Sequence, residues 1–310
     1  MVPDPPISLS VIIPTYDEPE RLSDTLKSLA DQDYPHEAVE IIVVDDASPD
    51  LEADRLARIK SPFPTNIIRH RVNQGRARAR NTGLRTATGE VVVFLDSDMT
   101  VRRDFLSTHA AMHRIQPNTV CIGNIRFGTR VPSNALTRYM ENRGVHRIKK
   151  GQPVPFKCFV TGNASLRRRQ LLQAGLFDED FTAYGGEDLE LGYRLHLQGA
   201  SFQFVPSALS FHNHLRAFEQ TCQLMYTYGE KSLPLLLKKH PELAKLLRLD
   251  FLQKPRFSPG RLFLSTILSP AVCHPVLYLT RRGMDHYVPD LFFDYLWWYN
   301  RTRGFIGVSQ

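Results

Sequence analysis

Cysteine is scarce in this 310-residue sequence, and what there is lies scattered: Cys121, Cys158, Cys222 and Cys273 form no Cys-x-x-Cys pair. That spacing argues against a cysteine zinc site and a disulfide framework, and it fits a reducing, cytoplasmic compartment. No basic segment followed by an apolar run opens the chain, so no secretory leader is visible. A clean membrane-spanning run is missing too. The one stretch of about that length, Leu262 to Leu279, is broken by Pro270, His274 and Pro275 and followed by Arg281 and Arg282. There is no internal repeat and no low-complexity tract. Nucleic-acid motifs are absent, and aromatic residues are not interleaved with the basic clusters, which sets aside a nucleic-acid binder. The net charge is still +7, with arginine gathered in 69–80, 126–150 and 167–169, so an anionic substrate or an anionic membrane face is the partner such a surface suits.

What the chain does have is enough apolar residue, 42%, for one large or two modest domains. Its most informative stretch is Glu90 to Met99. Val91 to Leu95 reads as a strand buried on both faces, and it stops at Asp96-Ser97-Asp98. Two carboxylates where a buried strand leaves the core either cap a turn or hold a cation, because ionised side chains are rarely buried unless paired or metal-bound.

Read in order, Ile7–Ile13 is a first strand ended by Pro14-Thr15-Tyr16, with Asp17 or Glu18 capping a helix that runs from Pro19 through Ala30. Val39–Val44 is a second strand ending in Asp45-Asp46, Leu51–Ile59 a short helix and Thr65–His70 a third strand. A glycine loop at Asn73–Gly75 opens a helix carrying Arg76, Arg78 and Arg80. This alternation predicts an α/β domain with a mostly parallel central sheet and helices on both faces. Ligands of such sheets sit at the carboxyl ends of the strands, where Pro14-Thr15-Tyr16, Asp45-Asp46 and Asp96-Ser97-Asp98 converge. Further on, the pattern predicts a helix around Phe105–Met112, a strand at Val120–Ile125, a basic loop over 126–156, helices at Arg168–Ala174 and Leu189–Gln198, and short strands at Phe202–Val205 and Ala208–Phe211. Helical patterns fill 216–248, and an aromatic run follows at Phe292–Tyr299.

Five motifs, in order, resemble those of the family-2 glycosyltransferases with the GT-A fold: Pro14-Thr15-Tyr16, Val44-Asp45-Asp46-Ala47-Ser48, Asn73-x-Gly75 leading to Ala79-Arg80-Asn81, Asp96-x-Asp98 and Gly185-Gly186-Glu187-Asp188. The resemblance covers 7–215. It implies a GT-A domain over 1–215, with a nucleotide-sugar half at about 7–100 and an acceptor half at about 101–215, followed by a helical extension over 216–310. It also implies Mn²⁺ or Mg²⁺, a UDP-sugar donor and inversion at the anomeric carbon. Pro14, Thr15 and Tyr16 would line the nucleoside pocket, with Glu18 beside them, and Asp45 or Asp46 would accept a hydrogen bond from uracil. Gly75, Arg76 and Arg80 would meet the diphosphate or base. Asp96 and Asp98 would hold the metal, with Ser97 between them on the donor and His212 as third ligand in competition with His214. Asp188 would be the general base, with Glu187 on the sugar hydroxyls, and Gly186 and Asn163 would lie close to the sugar.

Other readings stand beside this one. Tyr184 to Glu190 also resembles the polypeptide N-acetylgalactosaminyltransferases, which retain configuration, although those have Asp-x-His where this chain has Asp96-Ser97-Asp98. A nucleotidyltransferase would need a glycine-rich loop after the first strand, which Pro14-Thr15-Tyr16-Asp17-Glu18 does not supply. A non-catalytic nucleotide-sugar sensor would not need the intact acids. The acceptor expected is a glycan or a lipid-linked hydroxyl. The C-terminal extension reads as a lid or as an interfacial element contacting a membrane through 262–303, where Trp297, Trp298, Arg301 and Arg303 suit a headgroup boundary.

Overall fold

The computed structural model describes residues 5–49, 61–149, 151–249 and 259–308. The chain divides into two compact units. The first is Met1–Val131, Arg143–Thr182 and Glu187–Leu215, and the second is Pro132–Asn142, Ala183–Gly186 and Arg216–Gln310. The strands are β1 (Leu9–Thr15), β2 (Val39–Asp45), β3 (Thr65–Arg69), β4 (Val91–Leu95), β5 (Met99–Val101), β6 (Thr119–Phe127), β7 (Asn163–Arg167) and β8 (Ser201–His212). The helices are α1 (Pro19–Ala30), α2 (Arg76–Thr86), α3 (Phe105–Ile115), α4 (Ala135–Glu141), α5 (Arg168–Ala174) and α6 (Glu187–Leu197). They continue with α7 (Phe218–Thr227), α8 (Leu233–Lys239), α9 (Leu243–Leu246), α10 (Pro259–Ile267), α11 (Pro270–Gly283) and α12 (Asp290–Val308).

In the first unit the strands form one eight-stranded sheet in the order β3-β2-β1-β4-β7-β6-β8-β5. Side-chain alternation along the strands splits its apolar residues between two faces. Ile12, Ile42, Val92 and Phe94 pack with Ala77 and Leu84 of α2, Leu171 of α5 and Leu191 of α6. Val11, Ile41, Val43 and Val93 pack with Leu22, Leu26 and Leu29 of α1 and with Phe105 and Leu106 of α3. Helices therefore cover both faces, as the alternating pattern predicts. β3, β2, β1 and β4 run parallel, so the loops after β1, β2 and β4 share one edge. Beyond β4 the sheet turns mixed: β7 is antiparallel to β4 and β6, β8 is parallel to β6, and β5 is antiparallel to β8.

Several elements differ from the sequence expectations. The two short strands expected between 202 and 211 are one strand, β8, whose pairing with β6 shifts register between Gly123 and Asn124. The basic loop expected over 126–156 contains α4, capped by Asn134, whose side chain accepts the Thr137 N–H at 3.0 Å. The short helix expected at Leu51–Ile59 lies outside the described residues.

β7 was hidden because its sequence, Asn-Ala-Ser-Leu-Arg, is polar, yet every residue in it is buried. Two histidines of α3 satisfy it. His109 meets Ser165 Oγ at 2.7 Å and Asn163 Oδ1 at 3.1 Å, and His113 meets the same hydroxyl at 2.7 Å. Burial lowers both imidazoles, His109 to about 3 with the neighbouring His113 adding to the effect, and His113 to about 4. Both are therefore neutral when folded. Above pH ~6.5 neither folded nor unfolded histidine is charged and the pair has no effect on the pH dependence. Below it the unfolded chain takes up protons that the folded chain refuses, so stability falls with pH by up to about 1.4 kcal/mol per unit for each histidine. Urea midpoints measured from about pH 7.5 down to about pH 5 should fall, and H113N should fall less steeply.

Candidate active site

The parallel half of the sheet delivers the three motif loops together. After β1, Thr15 is buried, and its carbonyl accepts the Asp46 N–H at 2.9 Å, tying the first loop to the second. Tyr16 stands 47% exposed beside it, so its ring is open to a planar group. The loop after β2 is strained: Ala47 has φ 67, a left-handed value that costs a non-glycine residue about 1–3 kcal/mol.

The two acids of that loop have separate tasks. Asp46 accepts the Gln74 N–H at 2.9 Å and the Gly75 N–H at 2.7 Å, and meets His70 Nδ1 at 2.7 Å. Its oxygens are spent on shaping the glycine loop ahead of α2. Gly75 is needed there because its φ is 85. Asp45 is fully buried; its Oδ1 accepts the Ser48 N–H at 3.1 Å and the Ser48 hydroxyl. Its Oδ2 lies 3.3 Å from Arg69 Nε but takes no hydrogen bond among the described residues. Of the two acids, Asp45 is the one that keeps an acceptor in reserve.

Four charged side chains meet across α2, β4 and α6. The Arg80 side chain is 4% exposed, with Nη2 3.2 Å from Asp96 Oδ1 and Nη1 3.4 Å from Glu187 Oε1 and 4.0 Å from Asp188 Oδ1. Its guanidinium also sits 5.7 Å from the Phe177 ring centroid. Burial opposes the charge, but Asp188, Asp96 and Glu187 outweigh it and raise the pKa of Arg80 further. Burial, and then the neighbouring Asp188, push the Glu187 carboxyl up against the pull of Arg76 and Arg80. Asp188 is held from a second side as well. Thr161 donates its N–H to Oδ2 at 3.1 Å and its hydroxyl to Oδ1 at 2.9 Å. Both carboxylates open α6, where the helix dipole favours negative charge.

A second acid meets a histidine because of strand pairing. β5 and β8 align Met99 with His212, which brings His212 Nε2 to 3.3 Å from Asp98 Oδ2. The Asn213 N–H also donates to the Asp98 carbonyl at 3.0 Å. That donor-to-donor separation is what two ligands of one divalent cation adopt, about 3 Å for metal–ligand bonds near 2.1 Å. One carboxylate oxygen and one imidazole suit Mn²⁺. Among the described residues no group of three His, Cys, Asp or Glu side chains gathers around a cation position. The pair thus fits a cation that takes its other ligands from a bound substrate and water.

The structure departs from the sequence expectations at several residues. Asp96, expected at the cation, is paired with Arg80. Arg80, expected on the diphosphate or base, is buried among carboxylates. Arg76 is 41% exposed and 3.7 Å from Glu187. Asn163, expected near the sugar, is fully buried, its amide donating to the Ala208 carbonyl and Ser210 Oγ, each at 2.9 Å. Glu18 makes no cap; it receives Arg21 at 2.6 Å and the Ser97 hydroxyl at 3.2 Å, which links the loops after β1 and β4. Gly186 has φ 101 and belongs, with Gly185, to the second unit. Thr161 and His70 carried no signal of their own in the sequence, since each earns its place only through partners 27 and 24 residues away.

The comparisons with known proteins bear on family and fold. The model described as Glycosyl transferase family 2 matches residues 10–176, and one described as N-terminal domain of galactosyltransferase matches 143–217. The chain is 30% identical over 253 residues to the uncharacterized glycosyltransferase YfnE of Bacillus subtilis (strain 168), covering 66% of this chain and 64% of that one. It spans 34% to 64% of the length of the first curated relatives it matches. Among solved structures, the mannosyltransferase PcManGT from Pyrobaculum calidifontis, in complex with GDP-Man and Mn²⁺, superposes with a TM-score of 0.63 at 19% identity, covering 99% of this chain and 87% of that one. GalNAc-T7 with UDP, GalNAc and Mn²⁺ gives 0.55 at 18% identity, covering 77% and 51%. With the matched family model spanning more than half of the chain and the fold that of glycosyltransferase structures, this protein belongs to glycosyl transferase family 2 and has the GT-A fold.

Proposed function

We propose that the chain transfers a hexosyl or N-acetylhexosaminyl group from a UDP-sugar to an acceptor hydroxyl, with inversion. The observation that carries this reading is the meeting of Arg80, Asp96, Glu187 and Asp188 on the same unit as the Asp98–His212 pair. In it residues 7–100 form the donor half and 101–215 the acceptor half of the catalytic domain. Tyr16 stacks on the base, and Asp45 Oδ2 accepts the uracil N–H.

Asp98 and His212 would hold Mn²⁺ or Mg²⁺, which when bound offsets the negative charge growing on the departing diphosphate. The remaining work falls to the chain. Asp188 accepts the proton of the acceptor hydroxyl as its oxygen bonds to the anomeric carbon, and UDP leaves with the electron pair of the broken C–O bond. Thr161 and Arg80 fix the Asp188 carboxylate for that transfer, and Glu187 binds sugar hydroxyls. Arg76 is the exposed cation beside them that suits a phosphate.

Incubation with a panel of UDP- and GDP-sugars and Mn²⁺ tests the reading. A UDP-sugar should be hydrolysed slowly, a chelator should stop it, and D98N and H212Q should each raise the Mn²⁺ concentration for half-maximal rate by about 10–100-fold. Hydrolysis of none of the donors would refute it. The resemblance of Tyr184 to Glu190 to the retaining polypeptide N-acetylgalactosaminyltransferases supports a second reading, a retaining transfer; the anomeric configuration of the product separates the two. The acceptor is a glycan or lipid-linked hydroxyl, at the cytoplasmic face of a membrane that residues 262–303 would contact.

A further inference from the structure

Three places outside the site carry chemistry that it does not use: the buried His109–His113 pair, the Cys273 thiol against Tyr295 and Tyr299, and the outer face of α11. The first belongs to the core, where it serves the buried β7, and the second is a buried thiol whose pKa burial raises, which makes it inert. The third is different because it faces solvent.

One face of α11 is turned inward, with Cys273 and Thr280 buried and the thiol in hydrogen-bond reach of Tyr295 and Tyr299 of α12. The opposite face is bare. Ala271, His274, Pro275, Tyr278, Leu279 and Arg282 are all exposed, and their i, i+3, i+4, i+7, i+8, i+11 spacing makes them one continuous stripe. Tyr278 is 58% and Leu279 51% exposed, and Phe263 before the helix and Tyr287 after it are 68% and 75% exposed. Large apolar side chains gathered in this way are uncommon on a surface with no partner.

The charge around the stripe says what that partner is. α11 itself contains no Asp or Glu, while Arg281 and Arg282 fall at its C-terminal end, Arg281 pairing with Glu219 at 3.0 Å. The basic residues at 281 and 282 stand at the C-terminal end of the stripe, and Arg282 donates to the Tyr278 hydroxyl at 2.9 Å. A protein partner would match such a stripe with a complementary shape and scattered charges. An apolar face with no acid of its own, an amphipathic tyrosine and the exposed Arg282 at its end instead suits the boundary between headgroups and acyl chains of an anionic leaflet. The helix lies on that boundary and does not cross it. Its 14 residues reach only about 21 Å, short of the ~30 Å hydrocarbon core, and among the described residues no helix is long and apolar enough to span.

We infer that the Ala271–Arg282 face of α11 docks the protein on an anionic bilayer surface, with Tyr278 and Leu279 entering the headgroup region and Arg282 meeting a lipid phosphate. This names the surface behind the membrane contact in the functional reading, but it stands on the second unit alone and does not need the catalytic assignment.

The test is sedimentation of the full chain with vesicles of phosphatidylcholine alone or with phosphatidylglycerol added. The expected result is binding only when phosphatidylglycerol is present, weakened by salt, reduced about tenfold by Y278D/L279D and about fivefold by R282Q. Hydrolysis of a soluble UDP-sugar by the same variants is measured in parallel and should be unchanged, so loss of docking and loss of catalysis read out separately. Unaltered binding by both variants, or no binding by the wild-type chain, would overturn the proposal. So would a concentration-dependent dimer, seen by light scattering without vesicles and abolished by Y278D/L279D, because the face would then be covered by a second copy.

Discussion

D188N should lose transfer by about 10²–10⁴-fold in kcat while binding UDP within about twofold of the wild-type chain. The asymmetry follows from where Asp188 sits. Its two oxygens are held by Thr161 and it lies 4.0 Å from Arg80 Nη1, whereas the Asp45 oxygen assigned to the base lies on a different loop. Asparagine keeps the shape and can still accept from Thr161, but it cannot take a proton from a hydroxyl. T161V should fall between the two, because the backbone N–H remains while the 2.9 Å hydroxyl bond is lost. Single-turnover rates with the donor in excess, beside titration of UDP, separate the effects. Wild-type turnover by D188N would remove the base assignment and leave the fold untouched.

R80M should unfold far more easily than the wild-type chain, by about 3–5 kcal/mol, and should carry no transferase activity. A neutral side chain of similar volume at position 80 leaves Glu187 buried beside Asp188 with, among the described residues, the half-exposed Arg76 as the one cation near its Oε1. Glu187 Oε2 already makes no hydrogen bond among the described residues, so little can rearrange to help. Replacing the acid as well, in R80M/E187Q, should recover part of the loss, because one unpaired charge is removed together with its partner. R80K should sit near R80M, since an ammonium cannot reach three carboxylates in the way a planar fork does. Urea denaturation of the four chains provides the measurement. An unchanged midpoint for R80M would mean that the cluster is solvated and contributes nothing to the fold.

How much could be read beforehand depended on whether the signal was local. The first four parallel strands were plain because each carries a cluster of Val or Ile, Val11–Ile13 in β1, Ile41–Val44 in β2, Ile67–Ile68 in β3 and Val91–Val93 in β4. The carboxyl-end edge followed from that alternation and needed no side-chain detail. Asp98 and His212 were paired by spacing and resemblance, and their 3.3 Å approach rests on the β5–β8 register. A three-residue strand such as β5 has no periodicity to announce it. Arg80 was expected beside Arg76 on the diphosphate or base from their i,i+4 spacing, and nothing local reveals that Asp96, Glu187 and Asp188 lie around it. Asn163 looked like a polar group free to meet sugar because its partners, His109 on one side and Ala208 and Ser210 on the other, lie more than forty residues away in the chain. In each case the missing information was the identity of a distant partner.

The sheet order has a consequence for how the molecule comes into being. Asp98 emerges early in synthesis, but the imidazole that faces it arrives with the last residue of β8, more than a hundred positions later, and meets it only when the short β5 zips onto that edge. Arg80 likewise waits for α6 before two of its three counter-charges exist. A nascent chain stopped near residue 180 would own the loops after β1, β2 and β4 and yet be electrostatically unfinished, because Glu187, Asp188 and His212 arrive only with α6 and β8.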